Sequence, residues 1–354
     1  MQKQLPSGSW QPESAAARGN SCIYRPPGQF FKNWLDRHLM TENLHDPQIL
    51  LSVVITVVSG KQATAELLAH LCPQLDLKRS EVIVPFDRWS EEIGELASEF
   101  PQVTFYRVED LGVAESEQIA SHQHRLYDRR RSAGLNLARG QIVAMTEDHA
   151  QPADDWAEQI IAAHEQPYVA IGGAIENGVD AVLNRAVYFC DFGRYGRPFE
   201  SGPAAYISDV NVAYKREALE ATRPIWQDAY RETTVHWAML SKGQTLYLDD
   251  RPVVFQKRRH LTLRKALGER VEWGRVFAET RANELSKILC LLYAAGSPLL
   301  PPLMLFRGFR NMWRQQLTFG RMISTLPVAF LLLCGWSCGE FVGYCFKEPK
   351  EANA

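Results

Sequence analysis

The strongest constraint on the fold is an alternation of short apolar runs and helical stretches that begins at Ile49. The apolar runs are rich in Val, Ile and Leu, and the segments between them have helical periodicity. Strands that alternate with helices at this spacing imply an α/β fold with a parallel sheet covered on both faces. Strands are predicted at 49–58, 81–86, 103–108 and 141–145, and helices at 62–71, 91–100 and 125–138.

Polar side chains follow the fourth predicted strand, at the edge where an open α/β sheet binds its ligands. Glu147, Asp148 and His149 come directly after this strand, and Pro152 with two acids then opens a helix that carries Trp156. These residues fit either an acidic helix entry with a solvated His or a metal site. The helix before the strand carries a cluster of basic residues, namely Arg125, Arg129, Arg130 and Arg131.

No glycine-rich phosphate loop follows the first strand. The turn there is Ser59-Gly60-Lys61, which matches neither GxGxxG nor GxxxxGK[ST] and argues against a dinucleotide or P-loop site. Without a glycine cradle, the charge of a bound diphosphate must be met by a metal ion or by basic side chains. The residues at 147–149 could supply the metal ligands, and the arginine cluster could supply the positive charge.

Composition excludes some classes of protein. The net charge of -2 provides no basic field for nucleic acid, and 46% hydrophobic residues are ample for a core. The seven cysteines show no CxxC pair, so free thiols in a reducing compartment are expected. The N-terminus lacks the apolar core of a signal peptide, which predicts a cytosolic catalytic domain. Residues 1–48 are predicted to form a partly disordered extension with one short amphipathic helix.

Five elements in this order resemble the family 2 glycosyltransferases of GT-A fold. They are the apolar first strand with its polar turn, EVIVPFD, RRRSAGLNLARGQIVAMTEDHAQPADDW, SDVNVAYKREALE, and Glu232 ahead of a helix that ends at Gly243. The resemblance covers about Leu51 to Arg259. It implies a GT-A nucleotide-diphospho-sugar transferase fold over 49–260, with a mixed, mostly parallel sheet and helices on both faces. It also implies a nucleotide-sugar donor.

The resemblance assigns a metal and diphosphate site. Glu147, Asp148 and His149 occupy the place of the family's Asp-x-Asp motif, which holds a divalent cation and the diphosphate of the donor. Asp148 and His149 are the expected metal ligands. Since imidazole is a poor ligand for Mg²⁺, the His in place of the last acid favours Mn²⁺ over Mg²⁺.

Further positions follow from the same resemblance. Asp87 matches an acid that contacts the nucleobase or ribose, Arg131 matches a basic residue near the nucleotide, and Asn211 matches a residue at the sugar and acceptor site. Glu232 matches the catalytic base, which must be a carboxylate within reach of the acceptor hydroxyl. Residues 189–203, rich in Gly, Pro, Arg and aromatic residues, are either a loop over the donor or an ordinary connection.

Several positions depart from the family pattern. Residues 56–59 replace a Pro-Thr-x-Asn sequence, Thr233 stands where a second acid usually follows the base, and Gln256 stands where a His often completes the metal site. Two other classes therefore remain open. One is a non-catalytic, membrane-anchored protein that binds a sugar nucleotide or glycan. The other is a nucleotidyltransferase, which would release pyrophosphate instead of a nucleoside diphosphate.

The chain changes character from about Leu261. A charged helix is expected at 264–281, and two apolar segments follow at 288–306 and 322–346. Each is long enough to cross a hydrocarbon core of about 30 Å, although prolines and Glu340 interrupt them. We expect 261–354 to be a membrane-associated helical region.

The sequence between the apolar segments is basic, with four arginines and no acid. Phe309, Met312, Trp313 and Leu317 are predicted to share one face of a helix in the membrane interface. Two full spans would place this basic stretch outside, against the positive-inside rule, so a hairpin or monotopic arrangement on the cytoplasmic side is expected. Two true spans and buried core helices are the alternatives. A membrane-bound transferase implies an acceptor at the bilayer, either lipid-linked or a glycan.

Overall fold

A computed structural model describes residues 49–109, 119–282 and 285–346. These described residues belong to one compact unit. The predicted extension over 1–48 and its amphipathic helix lie outside them.

The sheet contains nine strands within the described residues, in the order β3-β2-β1-β4-β8-β6-β9-β5, with β7 paired to β9 beside this path. The strands are β1 Leu51–Thr56, β2 Ser80–Phe86, β3 Thr104–Arg107, β4 Ile142–Glu147, β5 Ala150–Pro152, β6 Ala170–Asn177, β7 Gly202–Ala204, β8 Asn211–Lys215 and β9 Leu246–Gln256.

The sheet is mixed, and its first half is parallel as the sequence predicts. Strands β3, β2, β1 and β4 are parallel neighbours, and Val54 of β1 lies between Ile83 and Met145. Strand β8 then enters antiparallel to β4, with Thr146 opposite Asn211. Because the carboxyl end of β4 therefore meets the amino end of β8, residues just beyond Thr146 and just before Asn211 come together.

Helices cover both faces of the sheet. Leu67 and Trp156 belong to the core on one face, and Leu135 and Val235 belong to the core on the other. The predicted helix at 91–100 is a 3-10 helix, Glu91–Ser98. The α-helices are α1 Lys61–Leu71, α2 Ile119–Leu137, α3 Trp156–Ala163, α4 Val182–Asp191, α5 Arg216–Glu220, α6 Arg223–Trp226, α7 Glu232–Ser241, α8 Leu263–Ala282, α9 Lys287–Gly296, α10 Leu300–Arg314 and α11 Phe319–Cys345.

The C-terminal helices pack on the sheet domain and on each other. Val187 of α4 forms a core cluster with Ala266 of α8 and Leu332 of α11. A Cβ added at Gly339 would overlap the carbonyl oxygen of Val271, so α11 and α8 touch backbone to backbone. The charged helix predicted at 264–281 is thus α8, and the apolar helix α11 packs along it.

One prediction for this region is wrong. The expected single apolar face of an interfacial helix is divided, because α10 ends at Arg314. Gln316 adopts a φ of 54°, and the amides of Gln316 and Leu317 donate to Trp313 and Met312 carbonyls, as in a Schellman C-cap. Met312 is fully buried in a cluster with aromatic residues of α4, whereas the side chain of Trp313 is 71% exposed.

Candidate active site

Arg131 of α2 is the centre of a charged cluster at the carboxyl end of β4. Its Nη2 lies 2.9 Å from Glu147 Oε1 and 2.9 Å from Asp209 Oδ2, and its Nη1 lies 3.6 Å from Asp128 Oδ1. Glu147 ends β4, and Asp209 lies two residues before β8 begins. The antiparallel entry of β8 is therefore what brings these two carboxylates to the same arginine.

The cluster holds more carboxylates than cations, and it is shielded from water. Burial raises the pKa of Asp128 to about 6, although the positive charges of Arg131 and Arg231 lower it. Burial also raises the pKa of Glu147, opposed by the charges of His149 and Arg131. Such an excess of buried negative charge is typical of a site that receives a cation or a proton.

Glu232 is the first residue of α7 and joins this cluster through Asp209. Its Oε2 accepts a hydrogen bond of 2.9 Å from the backbone amide of Asp209. Burial, followed by the adjacent Asp209 carboxylate, raises the pKa of Glu232 well above its ordinary value. A carboxylate with a raised pKa is a stronger base, so this environment suits a group that takes a proton from a hydroxyl.

Asp148 is committed to the turn after β1. Its Oδ2 accepts the backbone amides of Val58, Ser59 and Gly60 at 3.0, 2.7 and 2.9 Å. Three such bonds fix the turn that, according to the sequence, lacks a glycine cradle. They involve one of the two oxygens of this side chain, and the other, Oδ1, lies 3.3 Å from Nδ1 of His149. Metal binding by Asp148 stays a prediction.

His149 turns towards Glu147. Its Nε2 lies 3.3 Å from Glu147 Oε2, and its Nδ1 lies 3.2 Å from the hydroxyl oxygen of Ser59. Two adjacent ligands around a metal with bonds of about 2.2 Å are separated by roughly 3 Å, so this pair fits one edge of a coordination sphere. Among the described residues, no group of three or more His, Cys, Asp or Glu is placed to hold a metal.

Gln256 is opposite Ala150 in the β5–β9 pairing, next in sequence to His149. Its side chain lines a small cavity with Asn177, Tyr188 and Arg258, and neither Glu147 nor His149 lines that cavity. Both polar atoms of the side chain are buried without a hydrogen-bond partner in the described part of the chain.

Asp87 has a different environment from the one that its predicted role requires. Its carboxylate is 1% exposed and accepts two hydrogen bonds from Arg130, at 2.6 Å from Nε and 2.8 Å from Nη2. The amide of Trp89 donates to the same carboxylate. The structure thus pairs Asp87 with Arg130 within the protein, and its contact with the nucleoside stays a prediction.

The structure does not bring Asn211 to the charged cluster. Its Oδ1 accepts the indole N–H of Trp156, and its Nδ2 donates to the carbonyls of Ala174 and Pro252, all at 2.8–2.9 Å. The side chain is buried, and its described contacts tie strands and helix together. Its place is therefore the core of the sheet.

Sequence reasoning missed Asp209 and Asp128. Asp209 stands in the same SDVN segment as Asn211, and Asp128 directly precedes the quoted RRRSAG motif, one helical turn before Arg131. The role of these residues depends on which strand pairs with β4. The position of Asp209 in a turn before a strand does not reveal that this strand, β8, is the one that pairs with β4.

Residues 52–223 match the family described as Glycosyl transferase family 2. The chain therefore contains a family 2 glycosyltransferase domain. No curated protein sequence matches this glycosyltransferase.

A solved structure shares the fold of this glycosyltransferase. It is "Mannosyltransferase PcManGT from Pyrobaculum calidifontis in complex with GDP-Man and Mn2+". The similarity covers 90% of this chain and 95% of that chain, with a TM-score of 0.50 and 14% sequence identity. The predicted GT-A fold is confirmed, as is the α/β class. The enzyme transfers a sugar from a nucleotide sugar.

Proposed function

We propose that this glycosyltransferase moves a sugar, with inversion, from a nucleotide-diphosphate donor to a hydroxyl or phosphate of a membrane-linked glycan or lipid. The observation that carries the proposal is the position of Glu232. Its carboxylate lies in the same buried cluster as Glu147, and burial together with Asp209 raises its pKa. Arg131 thus connects the proposed base, Glu232, with the edge of the sheet at Glu147 that is proposed to bind the diphosphate.

Glu232 acts as the base for the acceptor hydroxyl. As the hydroxyl oxygen attacks the anomeric carbon, its proton passes to Glu232 and the bond from that carbon to the diphosphate oxygen breaks. A single displacement with one base inverts the anomeric configuration. A phosphate acceptor that is already ionised would need no base, so Glu232 favours a hydroxyl or a protonated phosphate.

Glu147 and His149 hold the divalent cation, Mn²⁺ or Mg²⁺. The neighbour PcManGT was solved with GDP-Man and Mn2+, which supports a cation of this kind here. The cation, when bound, neutralises the developing charge of the nucleoside diphosphate. Arg131 keeps Glu147 in place through its 2.9 Å ion pair, and Asp148 keeps the turn after β1 closed over the same edge.

The C-terminal helices bind the membrane. Two stretches, Lys287–Arg314 and Phe319–Cys345, are long and apolar enough to cross a bilayer. Large apolar side chains are exposed along them, among them Leu291, Phe306 and Phe319. A soluble surface seldom presents so many, which indicates contact with lipid.

We infer that these helices enter one leaflet and do not span. The start of α11 touches the catalytic domain, since Arg321 pairs with Asp180 at 2.5 Å. The chain could reach the far side of the bilayer at the start of α9 only if α8 also crossed. Helix α8 carries eight Lys, Arg and Glu residues, more charge than a membrane span tolerates, and Arg275 forms an ion pair with Glu272 there.

We propose that the catalytic domain lies on the cytoplasmic side, and the basic turn between α10 and α11 supports this orientation. Because the turn contacts that domain, the arginines and the active site face the same compartment. Basic residues near membrane segments are retained in the cytoplasm and attract anionic lipid. The acceptor is therefore proposed to be held at the cytoplasmic surface, as a lipid-linked sugar acceptor or a growing polysaccharide.

The test of this function is donor binding measured by thermal shift in detergent, with GDP-mannose, other nucleotide sugars and GTP, with and without Mn²⁺. We expect a stabilising shift with one nucleotide sugar that requires Mn²⁺. His149→Ala should abolish the metal-dependent part, and His70→Ala, which changes an exposed His, should not. A shift with GTP alone would favour a nucleotidyltransferase, and no shift with any donor would favour a non-catalytic protein.

A further inference from the structure

The turn between α10 and α11 is fastened to a loop of the catalytic domain. Nη2 of Arg314 donates to the carbonyl oxygens of Gly193, Arg194 and Gly196 at 2.9, 3.2 and 3.1 Å. Nε2 of Gln315 donates to the Gly193 carbonyl at 2.9 Å. Four hydrogen bonds from two adjacent side chains thus hold residues 193–196, within the segment that the sequence left open as a loop over the site.

The fit between the turn and the loop is close. A Cβ added at Gly196 would overlap the Tyr188 hydroxyl and the amide nitrogen of Gln315. The Tyr188 hydroxyl itself lies 3.2 Å from Gln315 Oε1 and donates to it or to the Ile175 carbonyl. Nε of Arg314 is buried, and it has no partner in the described part of the chain. Arg314 is half-buried, and its described hydrogen bonds all go to carbonyl oxygens of the loop.

The same loop borders the base. The carbonyl of Tyr195 accepts the Ile175 amide at 3.1 Å, and the guanidinium carbon of Arg194 lies 5.1 Å from the Tyr195 ring and 5.8 Å from the Tyr206 ring. Tyr206 precedes Asp209 by three residues. Tyr195 belongs to the same buried core cluster as Val210, the residue after Asp209, and the amide of Asp209 donates to Glu232. Burial raises the pKa of Tyr195, and the carboxylates of Glu232 and Asp209 act in the same direction.

We propose that Arg314 is a positioning residue: it holds the loop at 193–197 beside Glu232 so that the acceptor enters in register with the base. The membrane-bound helix thereby becomes part of the acceptor site. Helix α10 rests on the bilayer, and its last residue fixes the loop. The part of the site that receives a lipid-linked acceptor is therefore positioned by a membrane-bound helix. This inference rests on the proposed function, since it takes Glu232 as the base.

The test compares Arg314→Ala, Arg314→Lys and Gly196→Ala with the full-length enzyme and with Arg264→Ala, which changes an exposed arginine in α8. Transfer is assayed from the donor identified by thermal shift to a polyprenyl-linked sugar with free hydroxyls in vesicles. Misplacing a reacting group by about 1 Å can cost roughly 100-fold. We expect Arg314→Ala to lower kcat/KM for the acceptor by roughly 10- to 100-fold through KM, with donor KM unchanged. Arg314→Lys should restore part of the loss.

A second measurement separates positioning from misfolding. Amide hydrogen exchange at 193–197 should be faster in Arg314→Ala and in Gly196→Ala, while exchange in the strands β1 and β4 stays as in the wild type. Wild-type exchange in this loop together with a wild-type acceptor KM in Arg314→Ala would overturn the proposal. Absence of transfer in the wild type would instead contradict the proposed function, and the exchange result would still decide the contact.

Discussion

The charged cluster around Arg131 and the pair of helices α8 and α11 are built in opposite ways. The cluster buries ionised groups that face one another, with four carboxylates near one arginine. The helix pair buries almost no side chain at its closest contact, since Gly339 and Gly343 bring backbone against backbone. In the first arrangement, repulsion among the carboxylates raises the electrostatic free energy of the cluster. A bound substrate and cation can lower that free energy. The second leaves apolar side chains such as Phe277 and Phe341 exposed on the outer surfaces of the two helices.

The comparison assigns chemistry to one region and attachment to the other. Changes in the cluster should affect catalysis or the balance of charge, whereas changes at the helix contact should affect packing alone. The predictions below test this division, in order of decreasing effect.

Glu232→Gln should abolish transfer and leave donor binding nearly unchanged. General base catalysis contributes about 100- to 10,000-fold, and the amide removes the base while keeping the side-chain shape. Steady-state kinetics and donor titration measure the two effects. Glu217→Gln changes an exposed acid in the first turn of α5 and should keep wild-type activity. Undiminished turnover in Glu232→Gln would remove this residue as the base.

Arg131→Ala should destabilise the protein by about 3–5 kcal/mol, because it leaves buried carboxylates without their cation. Chemical denaturation measured by circular dichroism checks this value. Arg129→Ala, two residues earlier on the same helix, should change the free energy of unfolding by less than about 0.5 kcal/mol. Equal stability of the two variants would show that the cluster does not depend on Arg131.

Gly339→Ala should destabilise the packing of α11 on α8 by about 1–3 kcal/mol, because the added methyl overlaps the Val271 carbonyl. Thermal unfolding in detergent measures the loss. Gly320→Ala is the matched control in the same helix, since a Cβ there meets nothing within 4 Å. A wild-type transition for Gly339→Ala would mean that the two helices do not touch through their backbones.

The pH dependence of transfer should reflect the environment of Glu232. Burial and the Asp209 carboxylate raise the pKa of Glu232, so the base becomes protonated at a higher pH than an ordinary glutamate. As pH falls through that raised pKa, kcat should fall by roughly tenfold per pH unit. The midpoint of the acidic limb of the pH profile of kcat should therefore lie above about pH 4.3, the ordinary pKa of Glu. If the midpoint of this acidic limb is the same in Glu232→Asp as in the wild type, the titrating group is another residue.

The sequence predicts the part of the fold that depends on local pattern. The runs around Val54 and Met145 alternate with helices, and that periodicity suffices for the parallel half of the sheet. It also locates Glu147 at a strand end and Glu232 at a helix start. These features depend on residues near one another in the chain.

Other features depend on which distant segments become neighbours. Asp209 meets Arg131 only because β8 enters beside β4, and Asp148 caps the turn after β1 only once the strands are paired. For the same reason, Asn211 lies in a core position that its motif does not reveal. In the C-terminal region, composition predicts an apolar surface, but the glycine contacts decide which face is exposed.

The central claim is that one enzyme uses Glu232 to pass a sugar from a nucleotide sugar to an acceptor at the membrane. The most direct measurement follows labelled sugar and nucleotide together, with the donor identified by thermal shift, Mn²⁺ and vesicles that contain a polyprenyl-linked sugar with free hydroxyls. Our account predicts one nucleoside diphosphate released for each sugar transferred to lipid, and neither product with Glu232→Gln. Release of pyrophosphate, or sugar freed into water at the same rate with and without the lipid acceptor, would contradict it.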